Sequence, residues 1–257
     1  MKLSCSSWSY HRTIAAGKLD QKGWIEKCAR ELKLDGVELL DAHFPSTEAS
    51  YLKELKKMII DRGLTIACVS VSNHFTGAEE RERRENVDKV KQWVDIANYF
   101  GAPILRIFAG VAEELSQPEI WDKVIKCLRE CADYAEGKGI VLGLENHGGF
   151  SADEVLRMVN ETGSDWLRLT LDTGNFPSQP YESIRKTAHL AVIVHAKLYE
   201  LDEEGREKKL DYEKILPILA ERNYLGFLSI EFEGEPEELS FMPQGVDYLK
   251  KIRDEYK

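Results

Sequence analysis

Four short apolar runs in the C-terminal half each carry a side chain able to hold a divalent cation: Glu145 in VLGLENH, Asp172 in LRLTLDTGN, His195 in VIVHAK and Glu231 in LSIEFEG. A run of Val, Ile and Leu reads as a strand buried on both faces, so a charged group at its C-terminal end needs a partner or a solvated opening. Three carboxylates and one imidazole form a mixed oxygen and nitrogen donor set. That set suits Mn²⁺, Mg²⁺ or Co²⁺, admits Zn²⁺, and is too hard for copper(I) or iron–sulfur chemistry. Taken singly, each residue reads equally well as a member of an ordinary ion pair or as a satisfied core histidine. Four aligned strand ends favour one shared site with one divalent metal ion.

The elements that must position these residues follow from the spacing. The four stand 27, 23 and 36 residues apart, the length of a strand, a helix and two turns in a repeated β/α unit. Strand-like runs begin at 3, 36, 65, 104, 141, 167, 191 and 227: LSCSSWS, GVELL, TIACVSV, ILRIFAG, VLGLEN, LRLTLD, AVIVHAK and FLSIEF. Between them, WIEKCARELK from 24, YLKELKKMIIDRG from 51, ENVDKVKQWVDIANYFG from 85, WDKVIKCLRECADYAEGKG from 121 and YEKILPILAERN from 212 space apolar residues by three and four, as helices do. Gly63, Gly101 and Gly139 sit where helices close, and Ser46, Ser116 and Ser151 sit where hydroxyls cap helix starts. Parallel β/α units form either an open doubly wound sheet or a closed barrel. The count of eight, with no GxGxxG turn, favours an α/β chain folded as a (β/α)₈ TIM barrel, a single domain over 1–257. In such a barrel the C-terminal strand ends converge on one face, and the polar insert 198–211 is expected to form a long loop over that mouth.

Composition narrows the function. At 257 residues and 43% hydrophobic the chain can bury the core of one barrel. A net charge of −10, with basic residues scattered among acids as in RERREN, repels a phosphate backbone, so nucleic acid is not expected as a partner. No run approaches the roughly 20 apolar residues of a membrane span. Five cysteines lack metal-pair spacing and no secretory apolar segment follows Met1 and Lys2, which points to a reducing cytoplasm. Cys127 and Cys131 fall in the apolar stripe of their helix and read as core.

The pieces LENH, LDTGNF, VHAK, LDYEKIL and NYLGFLSIEFEG, with Gly226 five residues before Glu231, resemble the xylose-isomerase-like TIM barrels over essentially the whole chain. That family includes ketose 3-epimerases, hydroxypyruvate isomerase, inosose dehydratase and apurinic-site endonucleases. The resemblance implies that Glu145, Asp172, His195 and Glu231 hold the metal. It also implies that Glu145 and Glu231 move protons on opposite faces of the substrate, and that barrels pair through mouth loops into a homo-oligomer. Two positions depart from the epimerase pattern: Asn175 stands where a His is expected, and Leu201 where an Arg is expected. His195-Ala196-Lys197 is similar to the His-x-Lys of inosose dehydratase and its neighbours.

A divalent cation chelating a carbonyl and its neighbouring hydroxyl lowers the adjacent C–H pKa and stabilises the resulting enediolate. The leading expectation is therefore a metal-dependent isomerase or epimerase acting on a ketose or keto-sugar, with Glu145 and Glu231 catalytic. The alternative is a dehydratase or lyase that expels a β-hydroxyl, toward which Lys197 tilts the reading as a cation near the departing oxygen. A non-catalytic sugar-binding barrel and an apurinic-site endonuclease rank lower, the latter because of the acidic charge and the few histidines. Substrate contacts are expected from Lys197, Arg106, His147, His74, Asn175 and Trp8: Lys197 shares a strand side with His195, and Arg106 points inward beside the carboxylates. His147 is expected on the face of Glu145 if that strand persists. Asn73, His43 and the aromatics Trp8, Phe44, Phe75, Phe108, Phe150 and Phe176 are expected to wall the pocket or to pack the loops. His11 and His189 are read as incidental, and the absence of a phosphate nest favours an unphosphorylated substrate.

Overall fold

The computed structural model describes residues 1–256 except Ala78 and Gln117, and leaves aside the side chains of Ser116 and Pro118. Eight parallel strands close into a barrel in simple sequence order. They are β1 (Lys2–Ser6), β2 (Gly36–Leu40), β3 (Thr65–Ser70), β4 (Ile104–Ile107), β5 (Val141–Glu145), β6 (Leu167–Asp172), β7 (Ala191–Leu198) and β8 (Phe227–Phe232). The helices between and after them are α1 (His11–Ala15), α2 (Gln21–Glu26), α3 (Ala49–Asp61), α4 (Glu80–Phe100), α5 (Pro118–Glu136), α6 (Ala152–Thr162), α7 (Pro180–Thr187), α8 (Tyr212–Glu221) and α9 (Glu238–Asp254).

The chain divides into two compact units, Met1–Ala67 with Val194–Lys257, and Cys68–Ile193. In the first, β1 pairs with both β2 and β8, and β8 pairs with β7. His195, Ser229, Ser4 and Gly36 fall on one row of that register, so small residues flank the imidazole and leave it room. Gly36 is required there, because a Cβ at that position would stand 2.6 Å from the Thr65 carbonyl and 2.9 Å from the Phe227 ring. Alternate residues Leu228, Ile230 and Phe232 are fully buried on the opposite face of β8. Buried Glu238, at the start of α9, accepts hydrogen bonds from the backbone N–H groups of Arg12 and Thr13 and from the Thr13 hydroxyl. It thereby satisfies donors at the start of α1 that have no partner within the helix.

In the second unit β4 pairs with β3 and β5, and β5 with β6. Helix α6 opens on a capping box in which Ser151 and Glu154 satisfy each other's backbone N–H groups. Leu142, Leu144, Leu167, Leu169 and Leu171 are buried, as strands covered on both faces require.

Several boundaries differ from expectation. β1 stops at Ser6, because the Ser6 hydroxyl accepts the Trp8 N–H and turns Ser7–Tyr10 into a 3₁₀ helix. α2 starts earlier than its apolar pattern and passes into a π-helical turn over Lys27–Glu31. Ser46 accepts from the Glu48 N–H two residues on but does not cap α3, whose N-cap is Glu48. Ser151 caps as expected, whereas the side chain of Ser116 lies outside the described residues. The insert 199–211 is ordered around Glu207, which accepts from the N–H groups of Tyr199, Glu200 and Lys209.

Candidate metal centre

In the first unit, His195 and Lys197 lie on β7, opposite Ser229 and Glu231 of β8. Lys197 is 1% exposed, and its Nζ donates to Glu231 Oε2 at 2.6 Å and lies 3.2 Å from Glu233 Oε1. Trp8 Nε1 donates to the same Glu233 oxygen at 3.0 Å, while its ring stacks on His11. The two nitrogens of His195 face different carboxylates. Nδ1 is 3.4 Å from Glu231 Oε2, and Nε2 is 2.9 Å from Glu38 Oε1. Burial pushes the Glu231 carboxyl up, but the Lys197 ammonium and His195 outweigh it and hold the group well below its ordinary range.

In the second unit, Glu145 ends β5 and Asp172 ends β6. Asn175 Nδ2 donates to Glu145 Oε1 at 3.0 Å, and Arg106 Nε lies 3.3 Å from Glu145 Oε2. Asn146 is fully buried and clamps the Asp172 backbone, donating to its carbonyl at 2.9 Å and accepting from its N–H at 2.7 Å. The Asp172 carboxylate accepts the Gly174 N–H at 2.7 Å, so both the backbone and the side chain of this residue are fixed.

Among the described residues, Glu145, Asp172, His195 and Glu231 are all buried and each offers a ligand atom, the four atoms lying within 4.8 Å of one another. The donor chemistry, three carboxylates and one imidazole, fits a divalent ion.

The other expected residues are placed as follows. The strand carrying Glu145 ends there, so His147 does not share its face. It is exposed and lies on the Phe108 ring at 4.5 Å, with the Arg106 guanidinium 4.2 Å from that ring. His74 is engaged by Glu114 at 2.7 Å, and Asn73 braces the Phe108 backbone through both its N–H and C=O. His43 Nδ1 lies 2.8 Å from the Ser7 hydroxyl, and burial lowers its pKa. Phe75, Phe150 and Phe176 are buried in the packing and offer no exposed platform. His11 stacks on Trp8 and its Nδ1 approaches the Trp8 carbonyl at 2.8 Å. His189 contributes its carbonyl to Arg168. Glu38 and Glu233 were absent from the expected set.

The sequence profile described as "Xylose isomerase-like TIM barrel" matches residues 27–252. The chain belongs to that family. An inosose dehydratase of Clostridium botulinum is 22% identical over 91% of both chains. Among solved structures, an L-ribulose 3-epimerase superposes with a TM-score of 0.80 at 17% identity over 99% of this chain and 95% of that one. The IOLI protein, solved with a zinc atom, gives 0.78 at 18% over 100% and 98%. The structural likenesses concern the fold.

Proposed function

We propose that this member of the xylose isomerase-like family is a divalent-metal-dependent sugar isomerase or epimerase, with Glu145, Asp172, His195 and Glu231 as metal ligands. The observation that carries this reading is the buried group of three carboxylates and one imidazole with donor atoms within 4.8 Å. A divalent cation bound there supplies Lewis-acid polarisation of a substrate carbonyl and its neighbouring hydroxyl, which acidifies the adjoining C–H. Glu145 and Glu231 are the proton carriers. Arg106 and Asn175 hold the first as an oriented carboxylate, and Lys197 holds the second. Removal of the proton by one and its return by the other on the opposite face inverts the carbon, whereas return to the neighbouring carbon exchanges aldose and ketose. Arg106 and His147, both against the Phe108 ring, serve with His74 and Trp8 as substrate contacts. The substrate is a small unphosphorylated ketose or keto-sugar, Mn²⁺, Mg²⁺, Co²⁺ or Zn²⁺ serves as the ion, and the barrels self-associate through their mouth loops. Five free thiols suit a reducing cytoplasm, and among the described residues no helix is long and apolar enough to cross a membrane.

Incubation with a panel of free ketoses and Mn²⁺ in D₂O tests the reading by NMR. The expected result is deuterium at the carbon beside the carbonyl together with a new epimer or isomer, both lost with chelator and in Glu145→Gln. Absence of exchange into every ketose of the panel would overturn it.

A second reading, dehydration, is favoured by the buried Lys197 ammonium beside Glu231 and Glu233. In that reading Glu145 takes the proton of the C–H bond, and the electron pair left behind forms a C=C bond as the β C–O bond breaks. Lys197 gives its proton to the departing hydroxyl, which leaves as water, and the enol tautomerises to a dicarbonyl. The same incubation separates the two, since dehydration yields a product one water lighter.

A further inference from the structure

We infer that Glu38 is a positioning residue for the metal centre: it accepts the Nε2–H of His195 and so commits Nδ1 to the cation. The inference rests on the metal-binding reading above and concerns a residue outside the proposed ligand set.

Three observations carry it. Glu38 lies in the middle of β2, is fully buried, and is flanked by Val37 and Leu39, also fully buried, whose side chains alternate to the other face. A carboxylate in such a place is costly unless hydrogen-bonded, so it is retained only where it has a partner. That partner is specific, with Glu38 Oε1 2.9 Å from His195 Nε2, both groups at 0% exposure. Finally, the other ring nitrogen faces Glu231 at 3.4 Å, and Glu231 belongs to the four-residue group whereas Glu38 does not. One nitrogen therefore points at the cation position and the other at a carboxylate behind it.

A neutral imidazole has one donor and one acceptor nitrogen, and its tautomer follows from the hydrogen bond made by the nitrogen away from the metal. With the proton on Nε2 and donated to Glu38, Nδ1 carries the lone pair that ligates. The negative charge of Glu38 also raises the electron density that the ring offers the cation. The residue pairing with Glu38 in the strand register is Ser6 of β1, a small neighbour that leaves the carboxylate room to meet the ring. Glu38 touches no substrate in this scheme and acts only through His195.

The competing account is a structural contact, in which Glu38 and Glu231 hold His195 from both sides and the cation is indifferent to Glu38. The experiment compares wild type, Glu38→Gln and Glu38→Ala by competition of Mn²⁺ and Zn²⁺ against a fluorescent chelator, alongside melting of the metal-free proteins. Glu38→Gln keeps an acceptor oxygen and loses the charge, whereas Glu38→Ala loses both. Affinity is expected to fall about 10-fold in the first and toward 100-fold in the second, the range found for partners of metal-bound histidines, while metal-free Glu38→Gln melts as wild type does. In the Co²⁺-loaded proteins, an imidazole N–H resonance protected from solvent exchange is expected in wild type and Glu38→Gln. It should be lost in Glu38→Ala. Should Glu38→Ala fail to fold, Glu38→Gln decides the matter by its affinity alone. Wild-type affinity in Glu38→Gln, or a fall in affinity matched by an equal fall in metal-free stability, overturns the role of Glu38 while leaving the metal centre standing. Failure of wild type to bind any of the ions overturns both together.

Discussion

Lys197 and Arg106 each bring a positive charge to one of the two glutamates, yet the two pairs differ in geometry. The ammonium makes a direct 2.6 Å hydrogen bond, while the guanidinium Nε stands 3.3 Å away and Asn175 supplies the closer contact. Removing one partner of a buried pair leaves an uncompensated charge, so Lys197→Met is expected to lower stability by about 3–5 kcal/mol in urea unfolding. Adding Glu231→Gln should restore much of that loss, because the stranded charge is then gone. Additive losses in the double variant would show that the two residues do not act as a pair. Glu145 and Asp172 of the proposed centre are legible because each closes an apolar run with a carboxylate, and His195 and Glu231 because each interrupts one near its end. Glu38 carried the same kind of signal in GVELL but sat mid-run, and its partner lies 157 residues away in the chain. A carboxylate inside a five-residue strand that is buried throughout was the missed clue. His147 misled for a local reason: Asn146 turns inward to clamp the Asp172 backbone, and the strand alternation ends before it reaches the histidine.

At the level of elements, the loops that follow strands depend on close backbone approaches. Gly148 has φ of +80°, and a Cβ there would stand 2.2 Å from the Gly110 carbonyl. Gly148→Ala should therefore cost at least about 1–3 kcal/mol and lower the melting temperature, since both the dihedral and the contact oppose a side chain. By contrast, Ser151→Ala removes one cap oxygen and should cost only about 1 kcal/mol. A melting curve for Gly148→Ala no lower than that for Ser151→Ala would contradict the ranking. Strand positions are legible because parallel strands are continuous apolar runs, and helix α6 because its capping box is written in the sequence. The start of α4 was not legible. Its first turns, from Glu80, are charged, and the residue that anchors them is Arg83, a buried cation bonded to the Gly77 carbonyl and to Glu80. Hydropathy alone scores such an arginine as solvent-facing.

For the whole molecule, the five cysteines give a simple check on packing. Burial raises the thiols of Cys28 and Cys131 well above their ordinary value, and Cys127 is pushed up to about 11. A thiol of that pKa is only about one part in a thousand thiolate at pH 8, so none of these three should react quickly with DTNB in the native protein, and all should react in guanidinium. Rapid native labelling of Cys131 would mean that the helix carrying it opens more readily than its complete burial implies. The closed eight-stranded order followed from counting β/α repeats, whereas the hold of α9 on α1 through Glu238 left no periodic trace, because a carboxylate accepting backbone N–H groups 225 residues away has no sequence pattern.

That last contact bears on how the chain folds while it is being made. β1 needs β8 along one edge, and the backbone donors of Arg12 and Thr13 need the carboxylate of Glu238. A ribosome releases the first fifteen residues long before it releases the stretch from Phe227 to Glu238. β1 and the short helix after it must therefore wait, half-satisfied, while the 225 residues that separate Thr13 from Glu238 are made. During that interval the exposed edge of β1 is open to the wrong neighbour, and it is the stage at which a chaperone would matter most to this protein.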